Sequence, residues 1–346
     1  MKSILLGFVL LVVVSQTATQ DYVSILDLAW SPDGERLALA TSNGVIVYDM
    51  TASQPQVVWS EEVGWTNTVL FSPSGEWLAG GLGMVTGTLD ATGLVKVWAS
   101  ASGAEIASFE ANDFAVYALA FSPDSARLMS GGGYIPTRGN GDYRVRVWDT
   151  ETWTEIEALQ SSHMGSIQGL AFSPDGQLMA SNGTYGYIAL RDAETGELLS
   201  AVHDEGAVIT FSPDSRQLAL ALWGSFQVWE IRTEPEWHLV QRYIWRLNVT
   251  THLVEWVLTS AFTGKNDGLF ITAQSDGHLY VRDLATGEAI ATYYEAGRRF
   301  SSAAFSPDGE HLAFISTDDW VATSPDYKVV IWALYDDQDT TWITLE

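Results

Sequence analysis

The stretch Leu170-Ala171-Phe172-Ser173-Pro174-Asp175-Gly176 decides the fold, because its last five residues recur with small changes along most of the chain. Proline presets φ at the second position of a β-turn, aspartate suits the third position, and glycine accepts a positive φ at the fourth. The apolar residues on either side therefore predict two short strands joined by a tight turn. Copies of the phrase occupy residues 30–34, 71–75, 121–125, 172–176, 211–215 and 305–309, and a degenerate copy occupies residues 262–268.

The copies define seven similar units. Successive prolines of the phrase lie 41, 50, 51 and 39 residues apart, and the remaining gap of 94 residues contains the degenerate copy. A third strand such as Val95-Lys96-Val97-Trp98 and a hairpin turn such as Thr195-Gly196 then lead into a fourth strand. A four-stranded blade cannot bury both of its faces alone, so the blades must pack around a ring.

The sequence therefore predicts an all-β fold, a seven-bladed β-propeller of four-stranded antiparallel blades. The predicted blades occupy residues 22–60, 61–111, 112–162, 163–203, 204–249, 250–296 and 297–346. For the last blade we expect Thr341 to Leu345 to supply the outer strand, so that every blade is built from consecutive strands. A strand swap that uses residues 20–25 remains an alternative way to close the ring.

The ends of the third strands resemble those of a known family, the WD40 repeats, over residues 22–346. The pairs that carry the resemblance are Trp148-Asp149 and Trp229-Glu230, with Tyr48-Asp49, Arg191-Asp192 and Arg282-Asp283 as weaker versions. The Gly-His pair that usually opens a WD40 repeat is missing from every unit, and His163 is the nearest candidate. Where arginine replaces tryptophan, we expect the stem to pack on the neighbouring blade and the guanidinium to be exposed. Periplasmic six-bladed propellers of the TolB kind share the Ser-Pro-Asp-Gly phrase, but seven units and the Val-x-Val-Trp strand favour WD40.

Composition excludes several classes of function. The chain carries 43 acidic and 17 basic residues, a net charge of −26, and it has no basic stripe that would attract nucleic acid. It contains no cysteine, which excludes disulfides, thiolate metal sites and a cysteine nucleophile.

The N-terminus predicts export. Lys2 precedes an apolar run from Ile4 to Val14 that only Gly7 interrupts, and small or polar residues follow at 15–19. A run of this length suits the apolar region of a signal peptide and is too short to cross a bilayer. We therefore expect residues 1–19 to be a signal peptide and residues 20–346 a propeller that is secreted, periplasmic or at the cell surface. A buried N-terminal strand is the alternative, disfavoured because the segment has no evident pairing partner.

No catalytic motif is present. The sequence lacks a G-x-S-x-G elbow, a phosphate-binding loop, a metal-binding pair of histidines and a calcium loop, so we predict no catalytic residues, no cofactor and no metal. Two stretches, 182–184 and 248–250, fit the N-glycosylation sequon, which matters only in a eukaryotic host.

Long insertions single out one face of the ring. They fall between the second and third strands of three blades, at residues 83–93, 134–143 and 317–327, and such loops leave a propeller on the side where first strands begin. Exposed aromatic and arginine side chains are typical anchors of protein interfaces. The predicted partner-binding residues are Tyr134, Arg138, Tyr143, Asp318, Asp319, Trp320 and Tyr327, with Trp65 and Phe114 near the starts of first strands.

Three functions remain open from the sequence. The favoured hypothesis is a noncatalytic, monomeric scaffold that binds another protein or peptide through this face, without nucleic acid and without a membrane span after signal removal. The alternative is a carbohydrate or small-ligand binder at the cell surface. The third is an enzyme that uses Asp318 and Asp319.

Overall fold

A computed structural model of the chain describes residues 8–13, 23–83, 92–133, 143–159, 163, 165–184, 187–203, 208–222, 225–233, 237–246, 255–261, 268–274, 276–318 and 327–334. These residues form 28 β-strands in seven four-stranded antiparallel sheets, and they contain no helix. The predicted fold class, an all-β propeller of seven four-stranded blades, is confirmed.

Each blade contributes one strand to each of four concentric positions. The first, innermost strands are β2 (Ile25–Trp30), β6 (Thr66–Phe71), β10 (Val116–Phe121), β14 (Ile167–Phe172), β18 (Val208–Phe211), β22 (Glu255–Ala261) and β26 (Arg299–Phe305). The second strands are β3 (Arg36–Thr41), β7 (Trp77–Leu82), β11 (Arg127–Gly132), β15 (Leu178–Gly183), β19 (Gln217–Leu222), β23 (Leu269–Gln274) and β27 (His311–Thr317).

The two outer positions complete the blades. The third strands are β4 (Val45–Asp49), β8 (Gly93–Ala99), β12 (Val145–Asp149), β16 (Tyr187–Asp192), β20 (Ser225–Arg232), β24 (His278–Asp283) and β28 (Tyr327–Ala333). The fourth, outer strands of the first six blades are β5 (Gln56–Glu61), β9 (Glu105–Asn112), β13 (Thr154–Leu159), β17 (Leu198–His203), β21 (His238–Arg246) and β25 (Ala289–Tyr294). The fourth strand of blade seven is β1 (Phe8–Val13).

Packing between neighbouring blades closes the ring. Each innermost strand contacts the innermost strands of the two adjacent blades, and β26 contacts β2. The described core divides into seven apolar clusters, and each cluster joins two adjacent blades. The cluster of Ile25 and Leu37 with Ile315 and Val329 joins blade one to blade seven. Burial between blades is therefore what holds the propeller together.

The outer strand of blade seven comes from the N-terminus. β1 runs antiparallel to β28, with Phe8 opposite Ala333 and Val13 opposite Lys328. This pairing differs from our expectation that Thr341 to Leu345 would take the position, and those residues lie outside the described part of the chain. Without a partner strand the outer edge of β28 would present unpaired N–H and C=O groups, and β1 pairs with them through a segment in which three of the six residues are valines.

Side-chain hydrogen bonds fix the turn that the repeated phrase forms. In blade three the Ser122 hydroxyl donates to Asp124 Oδ1 over 2.6 Å, and that oxygen also accepts the backbone N–H of Ala126 over 3.0 Å. These hydrogen bonds hold the pKa of Asp124 below its usual value. The turn is therefore built by local chemistry, which is why its sequence repeats so closely.

Two copies of the turn carry serine where the others carry glycine, and each serine reaches another blade. Ser125 and Ser215 have φ angles of 61° and 60°. The Ser125 hydroxyl accepts the backbone N–H of Ser74 in blade two over 2.9 Å, and the Ser215 hydroxyl accepts that of Asp175 in blade four over 3.2 Å. The hydroxyl thus adds an interblade hydrogen bond at a position where a side chain costs backbone energy.

Substitution of Ser125 should separate these two effects. We expect S125A to lower the free energy of unfolding by about 1 kcal/mol, because alanine keeps the unfavourable φ and loses the hydrogen bond. S125G should stay near the wild-type value, because relief of the backbone offsets the lost hydrogen bond. Urea denaturation measures both, and equal stabilities for S125A and the wild type would contradict the interblade role.

Candidate functional site

We call the side of the ring where second strands end and first and third strands begin the loop face, and the opposite side the turn face. Two or three residues connect the second and third strands of blades one, four, five and six. The connections of blades two, three and seven contain 10, 12 and 9 residues. Blades seven, one, two and three are consecutive around the ring. The three long connections therefore lie on one arc of the ring, which also includes the short turn of blade one.

Five of the predicted partner-binding residues lie within the described part of the chain, and all five are at the loop face. Trp65 and Phe114 precede the first strands β6 and β10, and Tyr143 precedes the third strand β12. Asp318 follows β27 and is exposed, whereas Tyr327 begins β28 and is half-buried. Tyr134, Arg138, Asp319 and Trp320 lie outside the described residues.

The base of the blade-two connection is held by Trp65 and its neighbours. The indole N–H of Trp65 donates to Asn67 Oδ1 over 3.0 Å, and Asn67 Nδ2 donates to the carbonyl of Gly83 over 2.7 Å. The Gly83 N–H donates back to the Trp65 carbonyl over 3.1 Å. Trp65 is therefore positioned by the ring and is only half-buried, which leaves part of its indole available at the loop face.

Phe114 lies where blade three packs on the same connection. A Cβ at Gly83, which has a φ of +124°, would lie 2.5 Å from the Phe114 carbonyl oxygen. The close approach explains why glycine stands at the start of the connection. It also links Trp65 in blade two with Phe114 in blade three through a shared backbone contact.

The two tyrosines are partly covered by the ring. Tyr327 packs against the apolar cluster between blades seven and one. Desolvation raises the pKa of Tyr143 above its usual value. Each described aromatic side chain of the loop face is therefore partly covered by the ring and partly exposed to solvent.

Asp27, which we did not predict, joins the three innermost strands of blades seven, one and two. Its Oδ1 accepts the hydroxyl of Ser302 in β26 over 2.9 Å, and its Oδ2 accepts the hydroxyl of Thr68 in β6 over 2.9 Å. The backbone N–H of Val69 also donates to Oδ2, over 3.3 Å. Asp27 thus connects the two blades that flank blade one and carry long connections.

Asp27 is half-buried in the innermost strand. Desolvation of its carboxyl raises the pKa, while the four surrounding hydrogen bonds lower it. Burial is the largest effect, so the pKa of Asp27 is above its usual value. A sequence signal existed, because Asp27 is the only charged residue in the otherwise apolar stretch Ile25 to Trp30. The partners of Asp27 are far away along the chain, so the signal did not identify them.

Replacement of Asp27 should weaken this junction. We expect D27A to lower the free energy of unfolding by about 2 kcal/mol at pH 7, because it leaves two hydroxyls and the backbone N–H groups of Leu28 and Val69 without their acceptor. The matched control S302A removes one donor and should cost about half as much. Chemical denaturation of the two variants measures the difference. Equal losses for D27A and S302A would show that the contacts with blade two contribute nothing.

Comparison with known proteins supports the resemblance in the third strands. The family model described as WD domain, G-beta repeat matches residues 103–149, and the model of the anaphase-promoting complex subunit 4 WD40 domain matches residues 137–214. These matches and the seven-bladed fold support the WD40-repeat β-propeller family for this chain.

The relatives of this WD40 propeller are distant and differ in size. The Periodic tryptophan protein 2 homolog of Dictyostelium discoideum is 26% identical over 70% of this chain, which spans 26% of that protein. The small ribosomal subunit protein RACK1y of Oryza sativa is 33% identical over 28% of this chain and 29% of its own length. Eukaryotic translation initiation factor 3 subunit I of Bombyx mori is 21% identical over 63% of this chain and 64% of its own length. The chain therefore spans less than two thirds of each of these relatives.

The WD40 propeller keeps one buried histidine contact in blade four. His163 Nε2 lies 3.1 Å from the Ser181 hydroxyl, and both residues are buried. Burial, followed by the positive charge of Arg191, lowers the pKa of His163 to about 4. His163 is therefore neutral at pH 7, and it is a structural residue rather than an accessible base.

The two arginines that replace tryptophan in the WD40 propeller are bonded through their guanidinium groups. Arg191 Nη1 donates to the Gly196 carbonyl over 3.0 Å, and Arg282 Nη1 donates to the Gly287 carbonyl over 3.1 Å. Both arginines are half-buried, so their guanidinium groups are only partly exposed, and each donates to the carbonyl of the glycine in its own Thr-Gly hairpin.

Burial also excludes glycosylation of the first sequon in the folded chain. Asn182 in β15 is fully buried, with 0% of its surface exposed. A glycan on this side chain is incompatible with the folded propeller. Asn248 of the second sequon lies outside the described residues.

The described residues of the WD40 propeller include no group of three or more His, Asp or Glu that could hold a metal ion. A cleft of about 380 Å³ lies on the turn face between blades three and four, lined by Arg127, Phe172, Asp124, Asp175 and Glu194 among others. In the same part of the chain, no helix is long and apolar enough to cross a membrane.

Proposed function

We propose that this WD40 propeller is a noncatalytic scaffold that binds another protein or a peptide through its loop face. The observation that carries the proposal is the arrangement of the long connections, which leave blades seven, two and three around blade one. Loops on a rigid frame are a common place for binding residues. Asp27 holds blades seven, one and two together beneath them, so the loops start from fixed positions.

The relatives support a scaffold without naming its partner. Two of them, a small ribosomal subunit protein and a subunit of a translation initiation factor, are by name parts of larger assemblies. For this chain we propose a protein partner of its own, at the loop face, and a monomeric propeller in the absence of that partner. Fold alone does not fix function, so the partner must be found by experiment.

Export is the second part of the proposal. The apolar run from Ile4 to Val14 supports a signal peptide, and a secreted, periplasmic or cell-surface location follows from it. Sequencing the N-terminus of the protein recovered from its host tests this part. A chain that retains residues 1–19 and remains inside the cell would overturn it.

Affinity capture with the full chain tests the scaffold. The first variant, Y143A and W65A together, changes the loop face, and the matched control E194A changes the turn face. We expect a protein partner to be retained by the wild type and E194A and lost by the loop-face variant, with unchanged circular dichroism for all three. A partner lost only by E194A would move the site to the turn face. Capture of glycans instead of a protein would favour the carbohydrate-binding alternative.

A further inference from the structure

The short turn between the second and third strands of blade one contains the pair Asn43-Gly44. Glycine is required at the second position of this pair, because Gly44 has a φ of +147° and a Cβ there would collide with the carbonyl oxygen of Glu61. The fold therefore keeps an asparagine directly before a glycine that no other residue can replace.

An asparagine that precedes a glycine can lose its side-chain amide to its own backbone. The backbone nitrogen of Gly44 gives its proton to water and attacks Cγ of Asn43, so that an N–Cγ bond forms, the Cγ–Nδ2 bond breaks and ammonia leaves. One water molecule then opens the resulting succinimide at either carbonyl, which yields aspartate or isoaspartate. Glycine favours the attack because it has no side chain to hinder the approach of its nitrogen.

The Asn43 side chain is accessible for this reaction. It is exposed at the loop face, and within the described part of the chain its amide makes no hydrogen bond with another residue. Its backbone carbonyl accepts the N–H of Gly64 over 3.0 Å, so the turn is held in place while the side chain stays in water. Water can therefore reach Cγ, and ammonia can leave.

Thr41 holds the nitrogen that must react. Its hydroxyl accepts the backbone N–H groups of Asn43 over 3.2 Å and of Gly44 over 3.0 Å, and it donates to the Gly44 carbonyl over 2.9 Å. Thr41 is itself buried. A hydrogen-bonded N–H gives up its proton less readily, so the reaction proceeds from the fraction of molecules in which this turn has opened.

A second asparagine–glycine pair, Asn182-Gly183, provides an internal reference. It lies within β15, where Asn182 is opposite Gly169 and Gly183 is opposite Ile167 in β14. Asn182 is fully buried, so a reaction there requires the sheet to open. A third pair, at 140–141, lies outside the described residues. The two described pairs are equal in sequence, and their places in the fold are what distinguishes them.

We propose that Asn43 is a site of spontaneous deamidation in the folded propeller and that Thr41 sets its rate. The conversion replaces a neutral amide by a carboxylate, on the arc of the loop face that carries the long connections. The isoaspartate product also lengthens the main chain of a turn in which Gly44 lies against Glu61, so we expect this product to displace the turn. The effect on a partner rests on the proposed function, whereas the chemistry does not.

Incubation of the full chain at pH 7, followed by peptide mapping with mass spectrometry, measures the conversion of Asn43 and Asn182 separately. The same chain in guanidinium chloride gives the rate of each site without the fold. We expect Asn43 in the folded chain to convert at about a tenth of its unfolded rate, and Asn182 at less than about a hundredth. N43Q should give no product at position 43, because glutamine would have to close a larger ring.

Two variants of Thr41 test its control of the rate. T41V removes the hydroxyl and should raise the rate at Asn43 in the folded chain about threefold, with the rate at Asn182 unchanged. T41S keeps the hydroxyl and should convert at the wild-type rate. A general loss of stability would accelerate both sites, so Asn182 in the same samples separates local opening from global unfolding.

The following results would overturn the proposal. A folded-chain rate at Asn43 as low as that at Asn182 would show that the turn protects the pair. No change in T41V, an equal rise at both sites, or a T41S rate equal to that of T41V would show that the Thr41 hydroxyl does not set the rate. Equal capture of the partner by N43D and the wild type would reject only the effect on binding, so failure of the proposed function is distinguishable from failure of the chemistry, which needs no partner.

Discussion

Replacing Trp98 with alanine should lower the free energy of unfolding by about 3 to 5 kcal/mol, the range typical for truncation of a fully buried tryptophan. Only 1% of Trp98 is exposed, in the cluster that joins blades one and two. Its ring lies against Trp59, whose indole N–H donates to the Ser100 carbonyl over 2.8 Å. The substitution removes apolar contacts from both blades, and a urea titration measures the loss.

Gly80 offers a test of how tightly this tryptophan is packed. A Cβ at Gly80 would lie 2.9 Å from Cζ3 of Trp98, so G80A should destabilise the propeller by overpacking. In a W98F background the smaller ring leaves room for the added methyl group. The double variant should therefore lose less stability than the two single variants combined. Strict additivity would show that Trp98 does not occupy the space above Gly80.

Local chemistry explains why the number of blades was predictable. The turn in blade three needs only Ser122, Asp124 and the N–H of Ala126, all within five residues of sequence. Because local contacts define each blade, each blade appears in the sequence as a recurring phrase. Even the copies with Ser125 and Ser215 in place of glycine stayed recognisable, although their interblade hydrogen bonds were not foreseen.

Contacts between distant parts of the chain were not predictable in the same way. Asp27 bonds to Ser302, which lies 275 residues away, and β1 pairs with a strand more than 300 residues away. Neither contact leaves a periodic signal, because each occurs once in the ring. For the apolar run at 8–13 we disfavoured a strand because the segment had no evident pairing partner, and that reason was wrong, since β28 is its partner.

The candidate site was predictable in its position but not in its detail. Connection lengths placed Tyr143, Asp318 and Tyr327 on one face, and the starts of first strands placed Trp65 and Phe114 on the same face. That these residues bind a partner stays a prediction. The sequence also could not show how the ring holds them, since the Trp65–Asn67–Gly83 hydrogen bonds depend on the register of β6 with β7.

Acidification from pH 7 to pH 4.5 should destabilise the propeller through His163. The folded chain holds this imidazole neutral, because burial and the charge of Arg191 lower its pKa to about 4, whereas its ordinary value is 6.5. Between these values the unfolded chain binds a proton that the folded chain does not. Stability is therefore complete above pH 6.5 and falls as the pH is lowered towards 4, by up to about 3 kcal/mol.

The variant H163Q isolates this contribution, because glutamine can still donate to the Ser181 hydroxyl and does not titrate. We expect H163Q to be less stable than the wild type at pH 7. At pH 4.5 its stability should approach or exceed that of the wild type, because only the wild type has an unfolded state that is stabilised by protonation of His163. Asp124 and Asp192, whose pKa values are lowered by hydrogen bonds, lose their contributions only below 3.8, outside the window. Asp27 has a raised pKa and acts with the opposite sign, gaining stability as the pH falls, but it is present in both chains and cancels in the comparison. A wild-type decline with pH that H163Q reproduces in full would mean that another group carries the proton linkage.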